Sequence, residues 1–333
     1  MKFAVIGSNS FSGAHFVSYL LQRPDVSEVV GISRAAEYDS AFLPYKYKTE
    51  PKAGRFQFHQ LDVNHHVAEI VALLDKTRPD YIVNFAAQGE VRNSWKWPAQ
   101  WYQTNALGIV NLTNALVGKN YLQKYVQIST PEVYGATGLD IRESHNYFPS
   151  TPYAASKLAG DAFLFALQKH YQFPTAFTRA ANVYGPHQQL FRIIPKTIAM
   201  IKMNKKLDLH GRGKGIRSFI HMQDVAAGTF LVATKSRPGE IYHIAPRGAG
   251  LAIADIVKLI CRLMGRNFED SVNMMDENFG QDAMYSLNAD KIRSELGWQD
   301  QISLEQGIQE TIQWMSDSWG YLEKQSFDYV HRQ

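Results

Sequence analysis

The chain has 333 residues, 45% of them hydrophobic and 20% charged, an ordinary globular balance that excludes a disordered or collagen-like polymer. Its 35 Lys+Arg against 31 Asp+Glu leave a net charge of +4, scattered rather than gathered in a stripe; this suits an anionic small molecule and is too weak for nucleic acid. Cys261 is the single cysteine, which excludes an intramolecular disulfide and a cysteine-cluster metal site and points to a reducing, cytoplasmic compartment.

The chain opens on a strand, Lys2–Ile6, that runs into Gly7 with no apolar signal core ahead of it, so neither a secretory leader nor membrane attachment is expected. Gly7-Ser8-Asn9-Ser10-Phe11-Ser12-Gly13 then lies between that strand and a helix over 13–22. A pyrophosphate needs a tight turn with little side-chain bulk beside helix N–H donors, so the segment reads as a dinucleotide turn, with Ser10 where a glycine is usual. A second strand, Glu28–Ile32, ends on Ser33-Arg34 with no acidic residue. An acid there binds a ribose 2′-hydroxyl, whereas a planar, permanently charged Arg suits a 2′-phosphate, and Arg34 tips the reading from NAD toward NADP.

Further strands are expected at Tyr81–Phe85, Tyr125–Ile128 and Thr175–Phe177, with helices over 99–118 and 153–171. Strands separated by helix-length segments predict an α/β fold with a doubly wound parallel sheet of the Rossmann type. Past residue 185 the pattern loosens, and helices follow near 223–235, 252–264 and 303–318. A smaller α/β domain is therefore expected to be interleaved with the first. Residues 1–180 plus about 218–246 would form the dinucleotide domain, and about 181–217 plus 247–333 the substrate domain.

Tyr153-Ala154-Ala155-Ser156-Lys157 puts a phenol and an ammonium one helical turn apart. A neighbouring cation lowers the phenol's pKa and makes it a usable base. Ser129-Thr130-Pro131-Glu132-Val133-Tyr134-Gly135 follows a buried strand, at the sheet end where ligands bind in such folds. His65-His66 and His210 lack neighbouring carboxylates or cysteines at ligand spacing, so no metal site is expected.

With Asn84-Phe85-Ala86-Ala87-Gln88, Tyr102-Gln103-Thr104-Asn105 and Asn182-Val183-Tyr184-Gly185-Pro186, these motifs stand in the order of the extended short-chain dehydrogenase/reductase family, which the chain resembles over nearly its whole length. Within it, the chain is most similar to the nucleotide-sugar 4,6-dehydratases. The resemblance implies that Gly7, Ser10, Phe11, Ser12, Gly13, Ser33, Arg34, Asp62, Val63, Ala86, Ala87, Gln88 and Asn105, together with Tyr153 and Lys157, hold a tightly bound NADP or NAD. It implies that Tyr153, helped by Lys157, takes the proton of the sugar C4 hydroxyl as hydride leaves C4 for the nicotinamide, with Thr130 bonded to the same oxygen. Glu132 then removes the C5 proton, water leaves from C6, and the hydride returns to C6 to give a 4-keto-6-deoxy sugar nucleotide. Ser94, Asn182, Arg192 and Arg217 are implied contacts of a nucleotide-diphosphate sugar, and helices 99–118 and 153–171 a homodimer through a four-helix bundle. One departure matters: dTDP-glucose 4,6-dehydratases carry an acid before the Glu, and this chain has Pro131, which has no proton to donate. A 5,6-dehydratase, a 4-epimerase, a UDP-glucuronate decarboxylase and a non-catalytic dinucleotide-sensing or scaffold protein remain alternatives.

Overall fold

The computed structural model describes residues 1–48, 54–135, 138–248, 250–276 and 285–331. Seven strands form the central sheet: β1 (Lys2–Ile6), β2 (Glu28–Ser33), β3 (Phe56–Gln60), β4 (Tyr81–Asn84), β5 (Lys124–Ile128), β6 (Thr175–Ala180) and β7 (Ile241–Ile244). Their order is β7-β6-β5-β4-β1-β2-β3, and every pair is parallel. The chain order reverses at β1, so the connections leaving neighbouring β1 and β4 run toward opposite edges, a switch point at whose carboxyl ends ligands bind in such folds.

Side chains alternate between the two faces of this sheet, and both faces are covered. Phe3, Val5, Val29, Val83 and Val126 pack with the helices Phe11–Leu21 and Met222–Lys235. Ala4, Ile6, Val30, Ile32 and Ile82 pack with Val67–Thr77, Gly108–Leu116 and Pro152–Tyr171. Because both faces are buried, the inner strands read as continuous apolar runs, and each fully buried Val, Ile or Phe contributes about 1.5–3 kcal/mol. Two strands escaped the sequence reading. β3 is Phe-Gln-Phe-His-Gln at the sheet edge and only half-buried, and β7 hides the polar ring of His243 in the core.

A third core joins the helices Ile193–Lys202, Ile253–Leu263 and Leu304–Asp317 through Ile194, Ile198, Ile256, Ile260, Ile308 and Trp314, and it encloses Cys261. The short parallel pair Asn182–Tyr184 with Phe219–His221 connects this smaller part to the sheet end.

The helix expected over 99–118 is three pieces: Pro98–Tyr102, a wide π-type turn Gln103–Leu107, and Gly108–Leu116. At the break the chain packs closely on the helix Pro152–Tyr171. The backbone carbonyl of Asn105 lies so close to Gly160 that a Cβ there would come within 2.3 Å of it. The wide turn also aims the Asn105 side chain away from its own helix. Among the described residues, no helix is long and apolar enough to cross a membrane, and no group of three or more His, Cys, Asp or Glu is placed to hold a metal ion.

Candidate active site

Gly7 leaves β1 with φ +81°, donates its N–H to the Ile32 carbonyl at 2.7 Å, and lies so close to the Phe85–Ala86 backbone that a Cβ would reach Ala86 N at 2.6 Å. A Cβ on Gly13 would sit 2.2 Å from the Gly7 carbonyl oxygen. Only glycine allows both approaches. Ser10 fills a different role from the glycine it replaces. It is the N-cap of Phe11–Leu21, its Oγ accepting from Gly13 N at 3.0 Å and donating to the Gly7 carbonyl at 2.7 Å. Phe11 is buried and Ser12 half-buried in that first turn. The result is a tight turn whose helix N–H groups point outward, a cradle that fits a pyrophosphate.

At the end of β2, Ser33 is buried and its Oγ accepts the Asn9 N–H at 2.9 Å, so it ties the turn to the strand; Arg34 beside it is exposed. After β3, Asp62 accepts from Asn64 N at 2.8 Å, with Val63 buried next to it.

The segment after β4 is fixed by one residue. Asn105 is fully buried, its Oδ1 accepting the Gln88 N–H at 2.9 Å and its Nδ2 donating to the Gln88 carbonyl and to Ser156 Oγ, both at 3.0 Å. It thereby clamps the Ala86-Ala87-Gln88 segment to the helix Pro152–Tyr171, one residue from Lys157. It braces that segment from behind.

β5 ends at Ile128, and Thr130 caps a short 3-10 turn, Pro131–Tyr134, its Oγ1 accepting from Glu132 N at 3.3 Å. Pro131 takes the first position of that turn, where no N–H is needed. Gly135 closes it at φ +77°, where a Cβ would lie 2.2 Å from the Phe148 carbonyl oxygen. The first turns of Pro152–Tyr171 pack against this segment, bringing half-buried Tyr153 and buried Lys157 to the strand end that carries Thr130 and half-buried Glu132. Lys157 Nζ donates to the Ile128 carbonyl at 2.7 Å. Burial lowers its pKa to about 8, against which the charge of Asp161 raises it.

The expected substrate residues fare unevenly. Asn182 Nδ2 donates to the Ser218 carbonyl at 3.1 Å, and Arg217 Nη1 to the Ile216 carbonyl at 2.8 Å; both residues are half-buried where the smaller part meets the sheet end. Arg192 is exposed and lies over Phe191, just before Ile193–Lys202. Ser94 is fully buried and its hydroxyl donates to the Val91 carbonyl at 2.6 Å. The sequence reading missed the C-terminal segment. His331 stacks on Trp97 at 4.5 Å and accepts or donates a hydrogen bond with Gln100 at 2.7 Å, while Tyr329 packs on Phe191.

A family model described as GDP-mannose 4,6 dehydratase matches residues 5–311. The chain belongs to this nucleotide-sugar 4,6-dehydratase family. A dTDP-glucose 4,6-dehydratase from Haemophilus influenzae is 30% identical over 94% of this chain and 97% of its own length. The crystal structure of DesIV, a dTDP-glucose 4,6-dehydratase from Streptomyces venezuelae with NAD bound, superposes with a TM-score of 0.84 and 30% identity, covering 96% of this chain and 98% of that one. A UDP-glucuronic acid 4-epimerase from Bacillus cereus, also solved with NAD, gives the same TM-score of 0.84 at 25% identity over 95% of this chain and 99% of that one. The fold is thus shared by dehydratases and epimerases of the wider superfamily, and the reaction must be argued from the site.

Proposed function

We propose that the protein is a nucleotide-diphosphate-sugar 4,6-dehydratase that works with a nicotinamide dinucleotide seated on the Gly7–Gly13 turn. The observation that carries the reading is the convergence of Thr130, Glu132, Tyr153 and Lys157 at the end of β5. When bound, the dinucleotide supplies a hydride acceptor at the sugar C4 and the matching donor at C6. The residues do the rest. Lys157, charged and anchored on the Ile128 carbonyl, favours the Tyr153 phenolate, which takes the proton of the C4 hydroxyl. Thr130, oriented by its cap, donates to the same oxygen. Once C4 is a ketone the C5 proton is acidic, and Glu132 removes it. Pro131 offers no acid for the departing C6 hydroxyl, so Glu132 returns the proton it took from C5 to that oxygen, and water leaves.

Arg34 favours a cofactor bearing a 2′-phosphate, although the similar solved structures named above hold NAD. Titrating apoprotein with NAD and NADP, in the native chain and in Arg34→Ala, tests this: the preference for NADP should collapse in the variant. Exposed Tyr102 and Leu107 on the 98–116 stretch favour a homodimer in which this stretch and Pro152–Tyr171 pair with a second copy. The buried lone Cys261 suits the reducing cytoplasm.

Mass spectrometry of the product from dTDP-glucose, GDP-mannose and their UDP and CDP counterparts tests the reaction. Loss of one water with a new ketone supports it. An isomer of unchanged mass assigns a 4-epimerase, and released carbon dioxide from a glucuronate substrate assigns a decarboxylase.

A further inference from the structure

One helical turn beyond Lys157, on the same face of Pro152–Tyr171, lies Asp161, a carboxylate with no exposure. A carboxylate is driven from such a place unless other groups hold it. Here two strands supply them. From the end of β5, the Ser129 hydroxyl donates to Asp161 Oδ2. From β6, Arg179, itself without exposure, pairs with the same oxygen at 3.2 Å. Arg179 is fixed in turn between the rings of Tyr134 and Tyr147, 4.7 and 4.9 Å from its guanidinium carbon, and donates to the Tyr147 hydroxyl at 3.1 Å. The Tyr134 hydroxyl bonds His243 Nε2 of β7 at 2.8 Å. A buried polar chain therefore runs behind the reaction site across three neighbouring strands.

We propose that Asp161 is a positioning residue for the reaction: its carboxylate, locked by Ser129 and Arg179, keeps the Lys157 ammonium charged and aimed at the strand end that carries Thr130. This deepens the reading of Tyr153 and Lys157 given above and rests on it. The arrangement is asymmetric in a useful way. Arg179 pairs with Asp161 from β6, whereas Lys157 feels its charge from one turn away on the helix, and the Lys157 ammonium has its own anchor on the Ile128 carbonyl. The remaining groups that sense Asp161 electrostatically are the hydroxyls of Tyr125 on β5 and Tyr147, both neutral at working pH because burial raises them. Arg179 is faced by Tyr134, Tyr147 and neutral His243. Asp161 is thus the counter-charge that opposes the desolvation of Lys157. Ser129, adjacent to Thr130, couples the same carboxylate to the strand end.

The test uses the full chain with its bound dinucleotide. Asp161→Asn removes the charge and keeps an acceptor for Ser129. Asp161→Asn with Arg179→Met also removes the guanidinium, so that it is not left buried without its partner. Asp161→Glu keeps the charge. The Tyr153 phenolate is followed without substrate, as the part of the tyrosinate ultraviolet titration lost on adding Tyr153→Phe. Its midpoint should rise by about one pH unit in both Asn-containing variants and stay near wild type in Asp161→Glu. In turnover of dTDP-glucose or GDP-mannose, the alkaline limb of kcat should fall by about one pH unit in the same two variants, with kcat at neutral pH down about tenfold. A folded Asn-containing variant with an unmoved phenolate midpoint overturns the proposal. If neither sugar nucleotide is turned over by the native chain, the assigned reaction fails while the phenolate titration still judges Asp161.

Discussion

Replacing Asn105 by Ala should loosen the Ala86–Gln88 segment, which the sequence assigns to the dinucleotide. Three hydrogen bonds of 2.9 to 3.0 Å disappear, two of them to the backbone of Gln88. Each bond contributes about 1 kcal/mol net, and the buried Gln88 N–H left without its acceptor adds about 1–3 kcal/mol of desolvation. The total comes to about 4–6 kcal/mol if nothing relaxes, and about 3 kcal/mol if a water enters. Urea unfolding followed by tryptophan fluorescence reads this as a lowered midpoint, and, with the Ala86–Gln88 segment assigned to the dinucleotide, its titration should show affinity reduced by about tenfold or more. Asn105→Ala with a midpoint within about 0.5 kcal/mol of wild type and unchanged dinucleotide affinity would refute the reasoning that the wide turn exists to deliver this side chain.

Gly13→Ala drives a methyl against the Gly7 carbonyl oxygen and disturbs the Ser10 cap, so it should destabilise by about 2–4 kcal/mol and weaken dinucleotide binding; wild-type values for both would remove the close-approach argument. Tyr153→Phe should abolish turnover and leave dinucleotide affinity within about threefold, and full turnover would remove the assigned base. Burial lowers His187 to about 3 and His221 to about 4, below an unfolded value of about 6.5. Their stabilisation is complete above pH 6.5 and lost as pH falls toward those values, so unfolding midpoints should drop between pH 7 and pH 5. His15 and His243, lowered to about 4 and about 3, add to the same slope, so His187→Gln should reduce it in part, and an unchanged slope would exclude His187 as a source.

The parts of the site that were legible in the sequence are those encoded by short spacings. Gly7 and Gly13 bracket one turn, Tyr153 and Lys157 share one helical turn, and Thr130 and Glu132 flank one proline; each pattern constrains its own backbone. What stayed hidden is long-range. Asp161 and Arg179 meet across a helix and a strand, and either alone reads as a solvated charge. Asn105 stands in a motif, yet the hydrogen bonds by which it ties Gln88 to Ser156 show only in the fold. Ser10 reads as a defective glycine, whereas its hydroxyl caps the helix. β3 was overlooked because an edge strand carries a mixed pattern.

The central claim is that oxidation at C4 and reduction at C6 occur on one sugar, with water lost between them. dTDP-glucose or GDP-mannose carrying deuterium at C4 measures this directly. Mass spectrometry and NMR of the product should show a 4-keto sugar lighter by one water, with the deuterium now on C6 of the same molecule. A product of unchanged mass with deuterium still at C4, or a dehydrated product with deuterium absent from C6, would contradict it.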